Sequence, residues 1–126
     1  IEMSLNEKDC LEASLRQSDI YQLFHQVVRR DDEFRSFTEE SWRQLQQIID
    51  ETYNDFTTRL CAFYPQITEH ELRICYLIKI RIRTKDIAKI LSCSLSGISN
   101  SRTRLYKKIH REDGTPDMLD CFIIDL

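Results

Sequence analysis

Residues 67–111 read ITEHELRICYLIKIRIRTKDIAKILSCSLSGISNSRTRLYKKIHR, and the rest of the chain is organised around them. Two short helical patterns are followed by a turn at Ser92, Cys93 and Ser94, then by a longer, basic helix from about Leu95. Ile87, Ala88 and Leu91 fall on one face of the second helix. Ile98, Leu105 and Ile109 do the same for the third, at spacings that suit a 3.6-residue period. The opposite face of the third helix carries Ser99, Asn100, Thr103, Arg104 and Lys107. These hydrogen-bonding and cationic groups are long enough to reach base edges and phosphates. The pattern predicts a helix-turn-helix that reads duplex DNA.

Capping chemistry delimits the three helices. Thr68 and Glu71 form the T-x-x-E capping box, in which each side chain satisfies the other residue's free backbone N–H, and Ile67 with Leu72 adds a hydrophobic staple. Leu72, Cys75 and Ile78 are expected to point inward from the first helix. Thr84 is expected to cap the second helix, and Ser94 the third, its hydroxyl reaching the N–H near Gly97.

The flanks differ in charge from this segment. Residues 68–112 hold eleven Lys or Arg against four Asp or Glu, whereas residues 1–67 hold seven against thirteen and residues 113–126 none against four. A basic segment inside an otherwise acidic chain of net charge −3 suits a nucleic-acid surface, although a solvated basic face has the same composition. The acidic flanks are expected to screen the basic segment from phosphates.

The fold class expected is all-α. Gly and Pro number two each, and no alternating run of β-branched residues is present. The hydrophobic content of 41% supports a core rather than disorder. Residues 1–17 are a polar lead-in with Leu5, Leu11 and Leu15 as apolar points. Ser18 is expected to cap a helix to about Arg30 with Ile20, Leu23, Phe24, Val27 and Val28 on one face. Thr38 is expected to cap the next, with Glu39 and Glu40 in its first turn and Phe37 and Trp42 as a staple. Trp42, Leu45, Ile49, Tyr53, Phe56, Leu60 and Phe63 continue one stripe for about six turns, ending before Pro65. A last helix begins at Pro116 after a Thr115 cap, and Phe122, Ile123 and Leu126 make it strongly apolar. It is expected to pair two chains in a homodimer or to dock on the long N-terminal helix, with docking favoured. Residues 1–66 thus form a helical scaffold, and residues 67–126 a helix-turn-helix domain with its C-terminal helix.

From Thr68 to Ile109 the chain resembles the LuxR-type helix-turn-helix of bacterial regulators. The stretches that carry the resemblance are ITEHE, RTKDIAKIL, CSLSGIS and RLYKKI, together about a third of the chain. The resemblance implies a three-helix, winged-helix-like module whose helix Leu95–Ile109 enters the major groove while Lys85 approaches the phosphate backbone. The DNA-facing set is expected to be Thr84, Lys85, Ser96, Ser99, Asn100, Arg102, Thr103, Arg104, Lys107 and Lys108, with Arg102 near the edge of the buried stripe. The family's Gly between the first two helices falls at Arg81 here, so that turn is expected to be built differently. Its Lys and His in the reading helix fall at Ser99 and Ser101, so its base preference does not transfer. The Trp-bearing helix that ends in YPQIT before ELRICYLIKI looks like regulators carrying this module at the C-terminus of a longer sensor, often behind tetratricopeptide repeats and a membrane segment. That likeness implies the cytoplasmic output end of a larger protein. The first residue is Ile, which fits a processed product or a piece of something longer.

Other chemistry is weakly signalled. Five scattered cysteines without a C-x-x-C pair, three of them within apolar helical faces, suit reduced thiols. His25, His70 and His110 lack partners at metal-ligand spacing, so no metal is expected. No nucleophile elbow or phosphate-binding Gly loop is present, so no enzyme and no cofactor are expected. The alternative function is a module like region four of sigma factors, which contacts the transcription machinery.

Overall fold

The computed structural model describes residues 5–27 and 37–126. Eight helices occupy them: α1 (Leu5–Gln17), α2 (Asp19–Val27), α3 (Glu39–Thr52), α4 (Phe56–Phe63), α5 (Glu69–Lys79), α6 (Thr84–Ile90), α7 (Leu95–His110) and α8 (Pro116–Asp125). No strand occurs among the described residues, so the fold is all-α.

Most of the starts follow from local capping. The Ser18 hydroxyl accepts from the Tyr21 N–H at 3.3 Å, at the break between α1 and α2. The expected end of α2 near Arg30, and Val28, lie outside the described residues. Thr38 accepts from the Ser41 N–H at 3.1 Å, and the Phe37 and Trp42 rings meet edge to face at 6.0 Å. Phe24 of α2 stacks on Phe37 and meets Trp42, so one aromatic cluster joins α2 to the start of α3. Both bonds of the Thr68–Glu71 capping box form, at 3.0 and 3.1 Å.

The long N-terminal stripe does not form one helix. It breaks at Tyr53–Asp55, where Asn54 and Asp55 take left-handed backbone with φ of 52° and 56°. Asn and Asp enter that region more readily than most residues, and the Asp55 N–H closes the turn onto the Asp50 carbonyl at 2.9 Å. Asp50 then reaches across the break, accepting from both the N–H and the hydroxyl of Thr57 at 2.8 Å. The apolar stripe survives the break, because Leu45, Ile49, Phe56 and Leu60 are all fully buried.

Helix α5 is the centre of the molecule. Residues Ile74 to Lys79 are buried in unbroken succession, more than the expected stripe of Leu72, Cys75 and Ile78, because α3, α6, α7 and α8 all pack around this helix. Its last residue, Lys79, lies beneath the Tyr53 ring and donates to the Ile123 and Ile124 carbonyls at 3.2 and 2.8 Å. It thereby ties down the C-terminal end of α8, where a cation suits the helix dipole, and burial draws its pKa down to about 8. Helix α8 docks chiefly on α7 and α5 through the fully buried Leu119 and Ile123. It meets the N-terminal half through α4, the second of the two helices into which the long stripe breaks, Phe122 packing edge to face on Phe63 at 5.2 Å. Of the five cysteines Cys75 is buried, Cys61 half-buried and the other three exposed, so fewer sit in apolar faces than the sequence suggests.

Candidate nucleic-acid interface

Two turns of the same kind position α6 and α7. After α5, Arg81 takes φ 66°, the Ile82 N–H reaches the Leu77 carbonyl at 2.9 Å and the Arg81 N–H reaches Ile78 at 2.9 Å. This is the Schellman closure usually made with glycine, here made with arginine. The different build expected at this position is therefore absent: the bonding closes Ile82 onto Leu77, both buried, and the backbone accepts the cost of a left-handed Cβ. After α6 the pattern repeats, with Ser92 at φ 55° and the Cys93 N–H on the Ala88 carbonyl at 2.9 Å. Ser94 follows at once as the cap of α7, accepting from the Gly97 N–H at 3.0 Å.

Residues Ile98, Leu105 and Tyr106 of α7 are buried, and Ile109 is half-buried against the same core. The reverse face is open: Ser96, Asn100, Arg104 and Lys107 are exposed, while Ser99 and Thr103 are half-buried. The side chains of Asn100 and Arg104 have no hydrogen bond or ion pair among the described residues. Thr103 donates its hydroxyl to the Ser99 carbonyl at 3.1 Å, which leaves its oxygen able to accept from a donor. Lys107 meets Asp113 at 3.3 Å, but both side chains are largely solvent-exposed. Lys85, in the first turn of α6, is also exposed. No acidic residue occurs between Ile87 and Arg111, and the first turn of α7 carries none. The positive end of that helix therefore has no local anion to offset it.

Three of the expected residues are placed otherwise. Arg102 is 3% exposed and grips Asp120 of α8 with two hydrogen bonds, one of 3.0 Å from Nε. It joins α7 to α8 and does not belong to the open face. Its position four residues after Ile98 and three before Leu105 puts it within the buried stripe, not at its edge. Lys108 donates to Glu71 at 3.0 Å and lies over the Tyr64 ring, so it faces the start of α5. Burial pulls Glu71 upward, yet the Thr68 N–H and Lys108 outweigh it and hold its carboxyl below the ordinary value. Thr84 is the first residue of α6, not its cap; Arg83 holds the capping position, with extended backbone and no side-chain cap bond. Its guanidinium instead pairs with Asp86 at 3.0 Å in the first turn of α6.

One exposed residue escaped the sequence reading. Leu95, the first residue of α7, is 55% exposed beside Ser94 and Ser96. A large apolar residue directly after a cap, in a run otherwise composed of small polar groups, is the signal that marks it. Among the described residues no group of three or more His, Cys, Asp or Glu is placed to hold a metal ion, and no helix is long and apolar enough to cross a membrane. Comparisons of the chain with protein families, with curated proteins and with solved structures find no match.

Proposed function

We propose that this chain is a sequence-specific DNA-binding transcription regulator whose α5–α6–α7 triad is a LuxR-like helix-turn-helix, with α7 as the reading helix. The observation that carries this reading is the division of α7. One side is anchored in the core by Ile98, Leu105 and Tyr106, while the other presents Ser96, Asn100, Arg104 and Lys107 to solvent in a segment without acids. A helix held rigidly from behind and faced with donors is what base readout in a major groove requires. Asn100 is suited to a bidentate contact with adenine, and Arg104 and Lys107, further along, to phosphates. Lys85 at the start of α6 adds a phosphate contact. In keeping with its resemblance, the chain would act as the cytoplasmic output module of a longer regulator.

The test is a selection from random duplexes, with titrations at two salt concentrations. The Asn100→Ala variant is expected to relax preference at one or two base pairs, a contact worth about 1–3 kcal/mol, while nonspecific binding stays nearly intact. Affinity that does not change with salt, or a selection with no preferred sequence, would overturn the reading.

A further inference from the structure

We infer that Leu95 reads the 5-methyl group of a thymine, so that the preferred DNA site contains a thymine beside the bases faced by Ser96 and Ser99. The inference rests on α7 being the reading helix and adds a specificity-determining residue to it.

Leu95 stands at the tip of α7, one helical turn before Ser99 and on the same edge of the helix. At 55% exposure its side chain is more open than any other large apolar residue in the described part of the chain. Its neighbours at the tip are small and polar: the Ser94 hydroxyl caps the Gly97 N–H and lies 3.3 Å from the Ser96 hydroxyl. The next most exposed large apolar residue, Phe63 at 52%, has the Phe122 ring against it, so its exposure has an explanation within the fold. Leu95 is not among the residues packed against the core, and the buried side chains of α7 begin only at Ile98.

The chemistry of the major groove supplies a single apolar feature, the thymine methyl; every other group on the base edges is a donor or an acceptor. A leucine pressed against the N4 amino group of cytosine or against O6 and N7 of guanine would strip water from them and return no hydrogen bond. Leu95 would therefore discriminate in two ways at once, by burying a methyl group against thymine and by leaving polar edges unsatisfied against the alternatives. A serine at the same place would tolerate all four bases.

Deoxyuridine differs from thymidine only by that methyl group, which makes the test direct. The selected duplex is resynthesised with uracil at each thymine in turn, and the full chain and its Leu95→Ala variant are titrated against every version. One thymine per bound module is expected to be sensitive: its replacement weakens the unaltered chain about fourfold, the factor that burying one methyl-sized group gives. The same replacement is expected to leave Leu95→Ala unchanged. Because Leu95 is exposed, that variant is expected to fold as the parent does, which circular dichroism and a melting curve check. Selective binding with no uracil-sensitive thymine, or equal sensitivity in Leu95→Ala, overturns the inference and leaves α7 as the reading helix. Failure to select any duplex overturns both.

Discussion

The cations of α7 meet two different surroundings. Arg102 and Lys108 find carboxylates delivered by other helices, Asp120 from α8 and Glu71 from α5. Arg104 has none, and Lys107 has only Asp113, whose side chain is 91% exposed. All four residues belong to one basic helix and all were candidates for the DNA-facing set, Arg102 near its edge. What separates them is whether a largely buried carboxylate from elsewhere in the fold reaches them, Arg102 being buried itself and Lys108 remaining 43% exposed. A charge fixed on a buried partner holds helices together, while one facing water stays available to a ligand.

The sharpest way to break this division is to remove the partner of the buried cation. Asp120→Ala leaves the Arg102 guanidinium, 3% exposed, with no hydrogen-bonded counter-charge and only the solvent-exposed Asp117 at 3.8 Å. A loss of about 3 kcal/mol in urea-induced unfolding is expected. Combining it with Arg102→Met removes the orphaned charge and is expected to restore most of the loss. Stability unaffected by Asp120→Ala would return Arg102 to the ligand-binding set.

The buried side of α7 is tested next through Gly114. A Cβ at this position would lie 2.3 Å from Cδ1 of Tyr106, far inside contact distance. Gly114→Ala is therefore expected to cost about 2 kcal/mol by overpacking, and Gly114→Ala with Tyr106→Leu less than that. A melting temperature unchanged by Gly114→Ala would mean that α7 is not held rigidly from behind.

How much of this was legible in the chain depended on the range of the interactions. Thr38, Thr68, Ser94 and Thr115 act within three residues of themselves, and the caps foreseen at those positions form. The partner of Arg102 lies 18 residues away on another helix, so helical phase set Arg102 apart from Arg104 but could not show what pairs with it. The break between α3 and α4 was hidden for a different reason. All five left-handed residues among those described are non-glycine, and neither glycine of the chain has positive φ. With the usual marker absent, the remaining clue was the adjacent pair Asn54–Asp55, which continues an apolar stripe without a visible interruption. The open face of α7 was legible because its spacing against Ile98 and Leu105 follows directly from helical period. Leu95 was not, since its phase lies where the buried side borders the open face, and its exposure depends on lying before the first packed turn.

Between Arg104 and Lys108 the comparison becomes a difference in readout. Arg104→Ala is expected to lower the salt dependence of DNA binding by about one unit and to leave stability nearly unchanged. Lys108→Ala should do the reverse, leaving the salt slope alone and costing about 1 kcal/mol. The Glu71 carboxyl that Lys108 supports has its pKa lowered in the folded state, so its contribution is present above the unfolded value of 4.5 and lost as pH falls through the lowered one. In Lys108→Ala that acid-sensitive part of the stability should shrink. A fall in salt slope for Lys108→Ala would instead place it at the ligand.

The smallest effect expected concerns Lys107, which lies between the two classes. Its 3.3 Å pair with Asp113 joins two exposed side chains, so it is weak and must open before the ammonium meets a phosphate. Asp113→Asn removes that competition and is expected to raise nonspecific DNA affinity about twofold at low salt, with the gain vanishing at high salt. Removing any acid from the chain would also favour DNA through its overall charge, so the single variant does not identify the pair. The cycle with Lys107→Ala does. If Asp113 acts by holding Lys107, most of the gain disappears when Lys107 is alanine; if it acts by general repulsion, the gain persists in full. The second result would move Lys107 wholly into the class of Arg104, and would leave Asp113 as one acid among the several that flank the basic helix.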